Sequence, residues 1–280
     1  MNRWPDIPLE DTFGDVLRKA MRGNRVTPAA LASRTGIPAA DIDAWLNDTG
    51  TASAEQARIL ARALRLGPER LVERAAEAFY PPPVAMHGVE QHTQDSQPQS
   101  NGYVIARGDR KRAALIDPAG NPARLLRLLR EGGYELQYIL ITHKHNDHCG
   151  AAQAVADAYP AAKVVMHPLD VHAIGSLGAD ALAANDGTVL AFGDGAQIRV
   201  LHTPGHTDGS VCYLVDSTVF TGDILFSGSV GGAYGDTSTY EDILANVRTK
   251  LFTLPDETAI MPGHGPPSTI GTERAHDPFF

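Results

Sequence analysis

The chain has 280 residues, 43% hydrophobic and 20% charged, with a net charge of −9 at neutral pH and two cysteines. That length supports one large or two modest domains. No apolar run approaches the ~20 residues of a membrane span, and the first ten residues hold no secretory h-region. Two cysteines cannot build a disulfide framework, so a reduced, cytoplasmic setting is expected. The acid excess lies beyond residue 80: residues 1–80 carry 11 Lys/Arg and 11 Asp/Glu, residues 81–280 carry 13 and 22. Such a field repels polyanions and argues against nucleic acid as substrate.

Residues 11–78 read as consecutive short helices. Asp11 or Thr12 caps the first, which runs through Arg22 with Phe13, Val16, Leu17 and Ala20 on one face. Thr27-Pro28 is an N-cap followed by proline at the first helical position, and Gly36 stops that second helix. A third carries Ile42, Trp45 and Leu46. Thr51 or Ser53 caps a fourth through Leu64, and Glu69 to Ala78 makes a fifth. The run Thr27-Pro28-Ala29-Ala30-Leu31-Ala32-Ser33-Arg34-Thr35-Gly36-Ile37-Pro38, followed by Ile42-Asp43-Ala44-Trp45-Leu46, resembles the helix-turn-helix domain of phage-repressor-type regulators. Base reading calls for Arg, Lys, Asn or Gln at the start of the third helix. Pro38, Ala39, Ala40, Asp41 and Asp43 stand there instead. The favoured reading is that these helices dock on the domain behind them, or make it a homodimer, rather than bind DNA.

Tyr80-Pro81-Pro82-Pro83 cannot continue a helix, which divides the chain into a helical domain over 1–80 and a second domain over 81–280. Gln91 to Ser100 is polar and reads as a hairpin loop; His87 and His92 near it carry no assignment. Strands are predicted over Gly102–Arg107 and Arg112–Ile116, joined by a turn at Gly108-Asp109 and ended by Asp117-Pro118. A helix over Ala123–Glu131, a strand over Tyr138–Ile141, a helix over Gly150–Tyr159 and a strand over Lys163–Met166 follow. This alternation indicates an α/β domain. The glycine-bearing stretch 168–197 has no strong pattern and is read as a substrate-covering loop.

Directly after the apolar run Tyr138-Ile139-Leu140-Ile141 comes Thr142-His143-Lys144-His145-Asn146-Asp147-His148-Cys149-Gly150. Three imidazoles and a carboxylate at that density are the donors of a transition-metal site. If the backbone stays extended, His143, His145 and Asp147 project to one side, and His148 opens the next helix. Cys149 reads as a small buried thiol.

Three further stretches end an apolar run on a metal-capable side chain beside glycine: Val200-Leu201-His202-Thr203-Pro204-Gly205-His206-Thr207, Val219-Phe220-Thr221-Gly222-Asp223, and Ala259-Ile260-Met261-Pro262-Gly263-His264-Gly265. Glycine there permits unusual backbone angles and close approach to a crowded site. Taken together, these four stretches resemble the metallo-β-lactamase superfamily over residues 84–270, nearest to its glyoxalase II-like hydrolases and the related persulfide dioxygenases.

The resemblance implies a four-layer αββα sandwich with the metal site at one edge of two central sheets. It implies His143, His145 and His206 on one metal and Asp147, His148 and His264 on a second, with Asp223 bridging. Two zinc ions are expected, iron being the other candidate. Between them they would leave room for a bridging water of near-neutral pKa, so no Ser or Cys nucleophile is needed. Asp147 would also orient the attacking hydroxide, and Tyr234 would donate a hydrogen bond to substrate. His202 reads either as a hydrogen-bond partner of the site or as a packed structural histidine.

The family's usual Lys or Arg after the Gly-Ser segment is replaced by Gly232, which cannot pair with a substrate carboxylate. With the complete seven-ligand set, the resemblance implies a dinuclear hydrolase of a thioester, or of a related ester or lactone. The alternatives are a mononuclear iron persulfide dioxygenase using His143, His206 and Asp223, and a DNA-binding regulator whose metal domain senses a ligand.

Overall fold

A computed structural model describes residues 7–86, 88–94, 96, 98–107 and 112–280; His87 and the expected turn at Gly108-Asp109 lie outside them. Five short helices come first: α1 (Phe13–Gly23), α2 (Pro28–Thr35), α3 (Ala39–Leu46), α4 (Ala54–Leu64) and α5 (Pro68–Ala75). Their starts follow from local chemistry. Thr12 and Ser53 each form a capping box, with Asp15 and Gln56 respectively returning the bond to the cap's N–H. Thr27 caps α2 ahead of Pro28, and Gly36, at φ 71, ends it. Leu17, Leu31, Ile42, Leu60, Leu64 and Leu71 are fully buried between these helices. Among the described residues no helix is long and apolar enough to cross a membrane.

One six-stranded sheet is formed, in spatial order, by β1 (Val89–Thr93), β2 (Asn101–Arg107), β3 (Arg112–Ile116), β4 (Glu135–Leu140), β5 (Lys163–Met166) and β6 (Leu182–Ala183). The second contains β7 (Val189–Phe192), β8 (Ala196–His202), β9 (Val211–Val215), β10 (Thr218–Gly222), β13 (Ala259–Pro262) and β14 (Ser268–Thr269), ordered β14-β13-β10-β9-β8-β7. Between β10 and β13 the chain makes the small hairpin β11 (Leu225–Phe226) and β12 (Ser229–Val230). The remaining helices are α6 (Pro122–Glu131), the single turn α7 (Asn146–Cys149), α8 (Ala152–Ala158), α9 (Tyr240–Asn246) and α10 (Ile270–His276).

Period-2 alternation sorts the side chains into layers. Tyr103, Ile105, Ala114, Ile116 and Leu140 of the first sheet meet Val200, Tyr213, Phe220 and Met261 of the second. The intervening residues Val104, Leu115 and Ile139 point outward against Leu125 and Leu129 of α6 and Val155 of α8. On the far side, Leu214, Val219 and Ile260 pack with Ile243 of α9, Ile270 of α10 and the N-terminal helices. This is the expected αββα sandwich preceded by an all-α segment.

The helical segment rests on the sandwich through α1, α5 and the C-terminal residues. The Gly67 N–H donates to the Pro278 carbonyl at 2.7 Å, Arg70 donates to the Arg274 carbonyl at 2.9 Å, and the Lys19 ammonium donates to the Val230 carbonyl at 2.7 Å.

Three sequence expectations need correction. Gln91–Thr93 belongs to β1, paired antiparallel to β2, so the expected loop does not begin at Gln91. The polar side chains suit an edge strand, which water covers on one side. The backbone does not stay extended after β4: it bends at His143-Lys144 and turns helical at Asn146, so His143, His145 and Asp147 do not alternate along a strand. The stretch 168–197 forms a short 3-10 segment and strands β6 and β7, and none of it lines the cavities described below.

Candidate metal centre

The candidate ligands leave the carboxyl ends of parallel neighbours. In the first sheet β3 runs parallel to β4, and β4 feeds His143, His145 and α7. In the second sheet β10 runs parallel to β13; Asp223 directly follows the former, and His264 follows the latter by one glycine. His206 lies in the turn between β8 and β9. Strand ends on two packed sheets hold short loops on rigid supports, which is where a fixed set of donors can be built. The sheets are joined here by the Val211 N–H donating to the Thr142 carbonyl at 2.9 Å.

All seven sequence-predicted metal residues converge. His143, His145, His206 and Asp223 form one group of mutually close donors, and Asp147, His148 and His264 form another. In the first, His145 Nδ1 lies 3.0 Å from His143 Nε2 and 2.8 Å from His206 Nε2. In the second, Asp147 Oδ2 lies 3.5 Å from both His148 Nε2 and His264 Nε2. Asp223 faces both groups. Its Oδ1 is 3.3 Å from His148 Nε2, and its Oδ2 is 3.4 Å from His206 Nε2 and from His264 Nε2.

Electrostatics follow from burial and from those two carboxylates. Burial holds the His143 imidazole well below its ordinary range and His206 at about 4. Both rings are therefore neutral and keep a lone pair free. Burial also acts to lower His264, but Asp223, Asp147 and Glu10 together push it up to about 11. Burial would raise the Asp223 carboxyl, yet His264, His148 and His206 hold it well below the usual carboxylate range. The two acids thus demand positive charge between them.

A pair of divalent cations fits this donor set. The mix of imidazole and carboxylate is that of zinc and iron sites. Neighbouring nitrogens 2.8–3.4 Å apart are near the ~3.3 Å edge of a tetrahedron with metal–nitrogen bonds of ~2.0 Å. Asp223 Oδ1 is buried without a hydrogen-bond partner, which a buried carboxylate tolerates poorly unless a ligand satisfies it. Gly263 leaves the room for this: a Cβ there would meet Asp223 Oδ1 and would come within 2.7 Å of His148 Cε1.

Four of the five rings, those of His143, His148, His206 and His264, have the outer nitrogen tied down by a partner that sequence reasoning missed. Asp117 Oδ2 lies 2.9 Å from His148 Nδ1 and accepts the Thr142 hydroxyl at 2.8 Å, while Oδ1 accepts the Thr142 N–H at 2.8 Å. The Thr142 Oγ1 in turn lies 3.0 Å from His143 Nδ1. His206 Nδ1 meets the Gly232 carbonyl, and His264 Nδ1 the Gln99 carbonyl, both at 2.7 Å. Asp170 is fully buried and accepts from the Lys144 N–H at 3.0 Å and the Thr207 hydroxyl at 2.5 Å. It thereby pins the loops that carry His145 and His206. Contacts of this kind fix the tautomer and direction of a metal-ligating ring.

The donors open on a cavity of about 510 Å³ walled by Glu10, Lys19, Phe226 and Tyr234 as well as by His145 and His206. Tyr234 stands at its rim, 53% exposed, with its ring centroid 5.5 Å from that of His206 and 6.0 Å from that of His145. His202 is elsewhere: it stacks on His167 at 4.0 Å and reaches the Asp208 carbonyl at 2.9 Å. Cys149 is buried, and burial pushes its thiol up to about 12. Cys212 is likewise raised to about 12, so neither thiol is a ready nucleophile.

A family profile described as "Metallo-beta-lactamase superfamily" matches residues 96–264. The chain is 34% identical over 189 residues to hydroxyacylglutathione hydrolase GloC of Haemophilus influenzae, a match spanning 61% of this chain and 89% of that protein. Among solved structures it is similar to TTHA1623 in a di-iron-bound form, at 33% identity and a TM-score of 0.58 over 68% of this chain and 100% of that one. It is also similar to the BLEG-1 B3 metallo-beta-lactamase, at 31% identity and a TM-score of 0.60 over 68% and 98% of the two chains.

Proposed function

The chain belongs to the metallo-beta-lactamase superfamily, and from that premise we propose that it is a dinuclear metal-dependent hydrolase of thioesters, or of related esters and lactones. The observation that carries the reading is the position of Asp223, whose two oxygens stand 3.3–3.4 Å from imidazole nitrogens of both donor groups. A similar hydrolase is called a hydroxyacylglutathione hydrolase, which supports the thioester class.

His143, His145 and His206 would hold one ion, Asp147, His148 and His264 the other, and Asp223 both. Zinc or iron held there would polarise a substrate carbonyl and lower the pKa of a shared water to near neutrality. The protein's own part is positional. Asp147 points its Oδ2 between His148 and His264, where a carboxylate can orient a water as well as bind. Tyr234 is fixed by its N–H donating to the His206 carbonyl at 2.8 Å, which holds its phenol at the rim as a hydrogen-bond donor for substrate. The raised thiols of Cys149 and Cys212 leave water as the attacking group.

His143, His206 and Asp223 alone would also serve a mononuclear iron persulfide dioxygenase. Asp147, His148 and His264 beside Asp223 supply the donors that a second ion would need, while oxygen uptake with a persulfide substrate would decide for the dioxygenase. Residues 1–80 are read as an accessory helical domain rather than a DNA reader, because the exposed start of α3 offers Ala39, Ala40 and Asp43, which cannot contact bases or phosphates favourably.

Elemental analysis of the purified protein, paired with a screen of small thioesters and lactones, tests the proposal. About two zinc or iron ions per chain are expected, with turnover abolished in His145→Ala and Asp147→Ala. Fewer than one ion per chain, or undiminished turnover in Asp147→Ala, overturns it.

A further inference from the structure

The N-terminal helices lie outside the matched residues 96–264, yet they form a wall of the metal cavity. Lys19 lines that cavity together with Gly232 and Tyr234, and the same three residues line a second cavity of about 500 Å³ beside it. The second cavity is bounded by Arg18, Lys19 and Arg22 of α1 and by Arg25 just after it, against only two carboxylates, Asp15 and Glu241. That is a concentration of positive charge in a chain of net charge −9.

Two of the four cations are engaged. Arg18 pairs with Asp15 at 2.5 Å and Asp48 at 3.3 Å, and Lys19 pairs with Asp11 at 2.5 Å while donating to the Val230 carbonyl. Arg22 and Arg25 are exposed and have no carboxylate partner among the described residues. The Arg22 guanidinium lies 5.1 Å from the centroid of the Tyr234 ring. That stacking sets Arg22 in the second cavity against a ring that lines both cavities. No side chain extends from position 232, where a Cβ would lie 2.7–2.8 Å from the Tyr234 ring.

We infer that α1 supplies the selectivity of this site, with Arg22 and Arg25 receiving an anionic end of the substrate while its scissile group lies at the donor cluster. The substrate class is a thioester or ester bearing a carboxylate or phosphate remote from the bond that is cut. Guanidinium forks match either anion by charge-assisted, bidentate hydrogen bonds. The inference rests on the hydrolase reading for the position of the scissile group, but the anion site itself is testable without turnover.

Calorimetric titration of the full, metal-loaded chain uses three uncleavable thioethers: S-methylglutathione (carboxylates), S-ethyl-coenzyme A (phosphates) and neutral S-ethyl-N-acetylcysteamine. At least one anionic ligand should bind about fivefold or more tightly than the neutral one, with the preference shrinking as salt rises; which one does so identifies the anion. Arg22→Gln and Arg25→Asn, the latter chosen because Arg25 has φ 53 and asparagine tolerates that region, should each reduce the preference. The exposed Arg34→Gln on α2 should leave it in place.

Equal affinity for all three ligands, or a preference that survives the Arg22→Gln/Arg25→Asn double variant, overturns the inference. Thioester hydrolysis measured in parallel separates the two readings. An anion preference without any turnover would sink the hydrolase reading and leave the site standing; turnover without a preference would do the reverse.

Discussion

Asp117 Oδ2 sits 2.9 Å from His148 Nδ1, with both side chains buried. The same carboxylate accepts the N–H and the hydroxyl of Thr142, so one acid at the end of β3 orients two stations of the donor cluster. His148 then donates through Nδ1 and presents Nε2 to Asp147 and Asp223. Asp117 adopts φ 52, and its own carbonyl is held by Gln94 Nε2 at 2.7 Å.

Asp117→Ala should therefore lower metal affinity by about 10–100-fold, the usual effect of removing a hydrogen-bond partner of a metal-ligating ring. Asp117→Asn, which keeps one acceptor, should fall between. Competition against a fluorescent chelator reads this directly. Affinity equal to that of the unaltered chain in Asp117→Ala would mean that His148 needs no orienting partner.

Gly263→Ala places a methyl group against the Asp223 carboxylate and the His148 ring. Both Asp223 and one imidazole must shift, so bound metal should fall and turnover should drop by more than about tenfold, or ~1.4 kcal/mol. Circular dichroism should stay that of a folded protein, because the collision is confined to the site. Full metal content in this variant would show that the cradle is looser than its contacts imply.

Glu273 is fully buried on α10, and burial pushes its carboxyl from 4.5 to about 7 against the opposing pull of the Ser268 hydroxyl and the Gly228 N–H. A pKa raised on folding means that the folded state holds the proton more tightly. The resulting stabilisation is complete below about pH 4.5 and is lost as pH rises through about 7. Glu273→Gln removes that titration. Its melting temperature minus that of the unaltered chain should stay level below pH 4.5 and then increase toward pH 7. A difference that is constant across the window would place the titration elsewhere.

The residues of the donor cluster were legible because each pairs a local signal with a distinctive neighbour. His143 to His148 is dense in donors, and His206, Asp223 and His264 each follow an apolar run and sit beside glycine. The layers were legible from alternation in strands such as Asn101–Arg107. What escaped was contact between residues distant in sequence. Asp117 reads locally as a strand terminator before Pro118, and Asp170 lies in a stretch without pattern; only folding shows the one against His148 and the other beneath the loops of His145 and His206. Gln91–Thr93 misled by its polarity, since an edge strand needs little apolar surface. Arg22 and Arg25 carried no sign of a role because nothing in their neighbourhood points to residue 234.

His143 and His206 stand far apart in sequence and follow strands of different sheets, yet they belong to one donor group. An ion held by that group would consequently be a cross-link. It would close loops whose entropy the unfolded chain would otherwise regain, and it would clasp the two sheets together at the ends of their strands. The loaded centre would thus give the protein a mechanical fastening that a chelator would undo.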